Sequence, residues 1–168
     1  MLCLSQSAFS QVIRPIDRSI SPVAVGLKAN GSVVGTVTVI GGKGPGVKIR
    51  LDIDGLAPGE HTADVHAKAA CWGDWSFASL GEALPGGGTS FTVKANGRAR
   101  VAFKVPGLTT RVQGWAEYSS DRHGGAKISN FSGDNPLMIF GKSLVVHMQD
   151  SRSMVIACAE IKIPRGSF

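Results

Sequence analysis

Residues 47–54 read VKIRLDID, a faultless alternation of apolar and charged side chains. Side chains of a β-strand point to opposite faces in turn, so Val47, Ile49, Leu51 and Ile53 are predicted to face a core while Lys48, Arg50, Asp52 and Asp54 face water. GLAPGE follows at 55–60 as a turn, with proline and glycine in suitable places. Working outward, SFTVKANGRARVAFKV (90–105) predicts a hairpin, because Asn96-Gly97 suits the positive φ values of a tight turn. VAVGLKANGSVVGTVTVIG (23–41) repeats the device at Asn30-Gly31. KSLVVHMQD (142–150) and SMVIACAEIKI (153–163) bring the set to about eight strands, with no helical segment between them. Short strands at this spacing predict an all-β, eight-stranded Greek-key barrel or sandwich.

Composition agrees. The chain has 168 residues, enough for one domain with a real core, and 22 glycines to turn its strands. Its net charge is +6, but the basic residues are scattered and no aromatic-rich basic motif accompanies them, so nucleic-acid binding is not expected. No run of 18 apolar residues is present, and no transmembrane helix is expected. The opening MLCLSQSAFSQ is apolar and uncharged. It reads either as the end of an export signal or as a plain tail, which places an N-terminal segment at 1–21 and the domain at 22–168. Of three cysteines, Cys71 and Cys158 lie inside strong patterns and Cys3 does not. One internal disulfide is the simplest account, and it suits a secreted or periplasmic protein.

Two segments read as irregular: 71–89, CWGDWSFASLGEALPGGGT, and 106–136, PGLTTRVQGWAEYSSDRHGGAKISNFSGDNP. Long loops in compact domains tend to be functional or disordered, and the aromatics here favour order. Trp72, Trp75, Trp115 and Tyr118 suit either a cover for an open barrel end or a patch for a partner. His123 reads as an exposed loop histidine.

Three segments, in order, resemble the copper–zinc superoxide dismutase family. GLAPGEHTADVHAKAAC (55–71) is similar to its G-L-x-x-G-x-H-G-F-H-V-H strand with a later cysteine. SGDNPLMIFGKSLVVHMQD (132–150) resembles S-G-x-x-S-I-I-G-R-x-L-V-V-H-x-x-x-D, and MVIACAEIKI (154–163) resembles R-L-A-C-G-V-I-x-I. The resemblance implies a Greek-key β-barrel, in agreement with the strand count. It also implies a Cys71–Cys158 disulfide, copper histidines at His66 and His147, and a structural, non-ligating histidine at His61.

The family's chemistry is less complete in this sequence. Asp64 stands where the first histidine of H-V-H is expected. Residues 72–89, which should carry the bridging and zinc histidines, contain none, so no zinc site is expected. Val155 takes the place of the arginine near copper, with Arg152 close by but out of line. Alternation puts Asp64 and His66 on one strand face, with His61, Ala63 and Val65 on the other. Asp64, His66 and His147 therefore form a candidate degenerate copper site, able to hold copper or another divalent ion, with a polar remnant that binds no metal as the alternative. An Asp64–His66 pair is also half of a hydrolytic constellation, but the sequence places no nucleophile, and catalytic residues stay unassigned.

The expectation is a superoxide dismutase-fold protein that lacks the zinc site and the dismutase activity. It would bind a protein or small-molecule partner through its two elaborated loops or the former metal cleft, as a monomer or a homodimer. The alternative is a metal-dependent enzyme, either a reduced copper-only dismutase or another reaction in the same cleft.

Overall fold

The computed structural model describes residues 12–41, 44–72, 77–118, 126–127, 136–149 and 151–167. Among the described residues, eleven strands and one short helix follow in chain order: β1 (Val12–Ser19), β2 (Val23–Ala29), β3 (Ser32–Gly41), β4 (Val47–Asp54), β5 (Gly59–His66), α1 (Phe77–Leu80), β6 (Ala83–Val93), β7 (Arg98–Val105), β8 (Arg111–Tyr118), β9 (Ala126–Lys127), β10 (Lys142–Met148) and β11 (Ser151–Ile161). The alternation in VKIRLDID is realised. Val47, Ile49 and Leu51 are fully buried and Ile53 nearly so, while Lys48, Arg50 and Asp54 are exposed. Burying each such aliphatic side chain contributes about 1.5–3 kcal/mol.

Eight strands form one antiparallel sheet in the order β6-β5-β10-β11-β2-β3-β4-β7, whose end strands β6 and β7 pack against each other. The result is a nearly closed all-β barrel. Its wall has two thin seams: β11 meets β2 through one register pair, Cys158↔Lys28, and β6 and β7 share no register pair among the described residues. The barrel is thus also two four-stranded halves facing each other. Between them lies one core that includes Leu27, Val37, Leu51, Val65, Leu144, Val146 and Ile161.

The Asn30-Gly31 hairpin forms as expected. Ala29 pairs Ser32, and both turn residues have positive φ, 48° and 80°. At 94–98 the structure differs from the predicted hairpin. The turn exists, with Gly97 N donating to Lys94 O at 2.9 Å and Lys94 N to Arg98 O at 3.0 Å. Only Gly97, at 77°, has a positive φ there. Its two strands then part, β6 pairing β5 and β7 pairing β4. This turn carries the chain across a seam from one half of the barrel to the other.

Both segments read as irregular contain regular structure. α1 and the start of β6 fall within 71–89, and β8 and β9 fall within 106–136. Pro85 and Gly86–Gly88 sit in β6 because it is an end strand, where a missing donor breaks no ladder on its outer side. β8 is the middle of a separate three-stranded sheet, β1-β8-β9, in which Val12 pairs Tyr118 and Ser19 pairs Arg111. β1 therefore lies ahead of the boundary expected at residue 22. No helix among the described residues is long and apolar enough to cross a membrane.

Candidate metal centre

The site forms on the outer face of the barrel, where β5 and β10 lie side by side. Their register pairs Thr62 with His147, Asp64 with Val145 and His66 with Ser143, so Asp64, His66 and His147 share one face. His61, Ala63 and Val65 alternate to the interior. The β10–β11 register is irregular on either side of His147, with the unmatched residues in β11, while β10 keeps an unbroken register with β5.

A strap of chain covers this face. Ala67 N donates to Glu82 O and Lys68 N to Leu80 O, both at 3.0 Å, and the Ser143 hydroxyl donates to Lys68 O at 2.7 Å. The Cys71–Cys158 disulfide, closing a separation of 87 residues, fastens the strap to β11. Beneath it Leu80, Val145 and Cys158 form a small dry cluster, with Val155 and Cys71 packed against it. Val155 pairs with His147 across β10 and β11, so the position where the resemblance implies an arginine carries an apolar side chain in this cluster.

The strap also aims a ligand. His66 Nδ1 lies 2.9 Å from the Gly81 carbonyl. A carbonyl can only accept, so Nδ1 carries the proton and the Nε2 lone pair is the one available to a metal. His147 Nε2 lies 3.8 Å from Asp64 Oδ2, longer than a hydrogen bond, and the two imidazole centroids are 5.7 Å apart. His66 and His147 are 1% and 2% exposed, whereas the Asp64 carboxylate is 30% exposed and opens the site to solvent.

One ligand atom from each residue lies within 4.8 Å of the others. Ligands about 2.1 Å from a tetrahedral ion sit about 3.4 Å apart, so the triad is close to a coordinating geometry and needs a small inward adjustment. Two imidazoles and a carboxylate, with one fixed tautomer, fit a divalent ion. Sequence reasoning did not find Gly88, the partner of Asp64 in β6. A Cβ there would stand 2.0 Å from Asp64 Oδ1, so the carboxylate rests in the space that glycine leaves. The run of three glycines was the available signal.

His61 is placed apart from the triad. Its Nε2 donates to Ala57 O at 2.8 Å and its ring packs 5.8 Å from Phe91, 2% exposed. Trp72 is exposed and borders a cavity of about 320 Å³ with Lys28, Cys71, Glu160 and Lys162. Trp75 and His123 lie outside the described residues. Trp115 and Tyr118 belong to β8, and their side chains are likewise not described.

No protein-family model matches this sequence, and no curated protein matches it. Solved structures match in shape. Two are crystal structures of a SOD-like protein from Bacillus subtilis, one with a proline replaced by histidine and one with a tyrosine replaced by histidine as well. They give TM-scores of 0.57 and 0.58 at 18% identity, over 83% of this chain and 97% of the other. The fold is superoxide dismutase-like. At this identity the likeness is one of fold, and the site must be argued from its own residues.

Proposed function

We propose that this protein uses the superoxide dismutase-like barrel for binding and not for dismutation, with Asp64, His66 and His147 as its site for a divalent metal ion. The observation that carries the reading is the convergence of those three ligand atoms within 4.8 Å, two of them from buried imidazoles. The carboxylate argues against redox cycling. Reduced copper favours soft ligands, and an oxygen ligand at one of three positions favours the divalent state. Val155, where an arginine could have drawn an anion toward the site, offers no charge. A divalent ion held there would supply a Lewis-acidic centre with an open position. The chain's own contribution is to fix the His66 tautomer through Gly81, to keep both imidazoles buried, and to leave Asp64 as the wet side of the site.

The disulfide supports placement in an oxidising compartment, outside the cell or in a periplasm. To test the reading, the protein is purified from cells supplied with copper and zinc, its metal content measured, and Cu(II) and Zn(II) titrated into the metal-stripped chain and into Asp64→Ala. One ion per chain, weakened at least tenfold by the substitution, is expected, with superoxide decay no faster than buffer. Absence of stoichiometric metal would sink the metal site. Rapid superoxide decay by the loaded protein would instead favour the enzyme reading.

A further inference from the structure

On the far half of the barrel, β4 and β7 present a ladder of charged side chains to solvent. Four successive register pairs on the outer face are Asp54↔Arg98, Asp52↔Arg100, Arg50↔Ala102 and Lys48↔Lys104. Every arginine on this ladder has an aspartate. Arg98 is 3.1 Å from Asp54, Arg50 is 3.0 Å from Asp52, and Arg100 bridges to Asp52 as well. Lys48 and Lys104 face each other instead. Neither forms an ion pair with a carboxylate among the described residues.

Like charges directly opposite each other on a sheet destabilise it. A fold that neutralises its neighbouring arginines and leaves two ammonium groups opposed has room for an anion between them. The geometry supplies the room. Both lysines border a cavity of about 190 Å³ whose other walls include Ile40, Gly41, Gly44 and Gly46. The stem of Lys104 lies across Gly46, where a Cβ would come within 3.0 Å of its Cε, so a larger residue at 46 would push the lysine off the cavity. The cavity is smaller than the roughly 300–1,000 Å³ typical of drug-sized ligands, which suits a single group and not a whole cofactor.

We propose that this cavity is a site for a tetrahedral oxyanion, a phosphate or sulfate group, held between the ammonium groups of Lys48 and Lys104. The site lies on strands that carry none of the metal triad and does not depend on the metal reading. Phosphate and sulfate present the same tetrahedral shape and anionic oxygens to two point-charge donors, whether as free ions or as esters on a sugar chain.

The test follows backbone amide shifts of the full chain during titration with sodium phosphate, sodium sulfate, a short sulfated oligosaccharide and, at matched ionic strength, sodium chloride. Saturable shifts at Lys48, Lys104 and Gly46 are expected with at least one oxyanion probe and not with chloride. Free ions saturating first identifies a small-ion site, and tighter binding of the oligosaccharide identifies a glycan site. Lys48→Glu gives Lys104 an opposite charge, so it should raise Tm in chloride, abolish the saturable shifts and remove the rise in Tm with phosphate. Lys104→Gln, which keeps most of the stem, should weaken binding at least tenfold and serves if Lys48→Glu does not fold. Equal responses to chloride and the oxyanions, no saturable response to any probe, or an undiminished phosphate response in either variant would overturn the proposal.

Discussion

Gly88→Ala should uncouple the proposed metal site from the fold. Gly88 faces Asp64 across β5 and β6, and an added methyl carbon would lie 2.0 Å from Asp64 Oδ1 and 3.1 Å from Cγ. Non-bonded carbon and oxygen need at least about 3.0 Å, so the carboxylate must retreat by about 1 Å. Metal–ligand distances hold to within about 0.2 Å, so a carboxylate kept back by this methyl group cannot close onto the ion. Asp64 is part exposed and can swing toward water without disturbing the core, and the Gly88 backbone lies outside the left-handed region, so alanine is acceptable there. The stability change should stay below about 1 kcal/mol because the strain is relieved at a solvent-facing side chain. Metal affinity should fall by about 10- to 100-fold, the range seen when a supporting contact of a ligand is lost. Isothermal titration with Zn(II), with Tm measured alongside, reads both quantities. Adding Asp64→Ala completes the cycle: without the carboxylate, Gly88→Ala should cause no further loss. Affinity within twofold of the parent, or a further loss in the Asp64→Ala background, would refute the account of Gly88.

Other consequences are measurable on the same protein. Replacing Cys71 and Cys158 by alanine removes a cross-link spanning 87 residues and should lower unfolding free energy by roughly 4–5 kcal/mol in the chain-entropy treatment, read from guanidinium midpoints; a loss below about 1 kcal/mol would contradict it. Asp52→Asn should cost under about 1 kcal/mol at neutral pH, since its ion pairs are at the surface. The hydrogen bond from Arg100 holds the Asp52 carboxyl below its ordinary value of 3.8 despite some desolvation. Its contribution is therefore present above that value and lost as pH falls through the lower folded value, so parent and variant should converge in strong acid. Gly41→Ala would place a Cβ 2.0 Å from Thr110 Oγ1, a buried hydroxyl that shares a 2.7 Å hydrogen bond with Ser19 Oγ. It should destabilise by about 1–3 kcal/mol, with β1 the first segment exposed to protease.

Most of the barrel was legible because its strands obey a local rule. Period-two alternation in 47–54 names the buried residues without knowledge of any partner, and Asn30-Gly31 names its own turn. What was hidden depends on pairings between distant segments. β1 and β8 lie about 100 residues apart, in stretches whose composition reads as tail and loop, and each becomes a strand through the other. The first part of β6 was obscured by Pro85 and three glycines, residues that an end strand tolerates and a central strand does not.

The metal triad shows the same division more finely. Alternation alone places Asp64 and His66 on one face, because they are two residues apart on one strand. It cannot place His147, whose membership follows from the register Thr62↔His147 between strands distant in the sequence. His61, Asp64, His66 and His147 become one structural group and three convergent candidate ligands only when the strand faces and their register are known. His61 turns inward to the Ala57 carbonyl, and His66 turns outward with its tautomer set by Gly81. The two histidines of one strand are thus assigned opposite roles by the parity of their positions. The chemistry of this surface rests on β5 holding its register, so a one-residue slip would turn Asp64 and His66 toward the core and put Ala63 or Val65 where Asp64 stands.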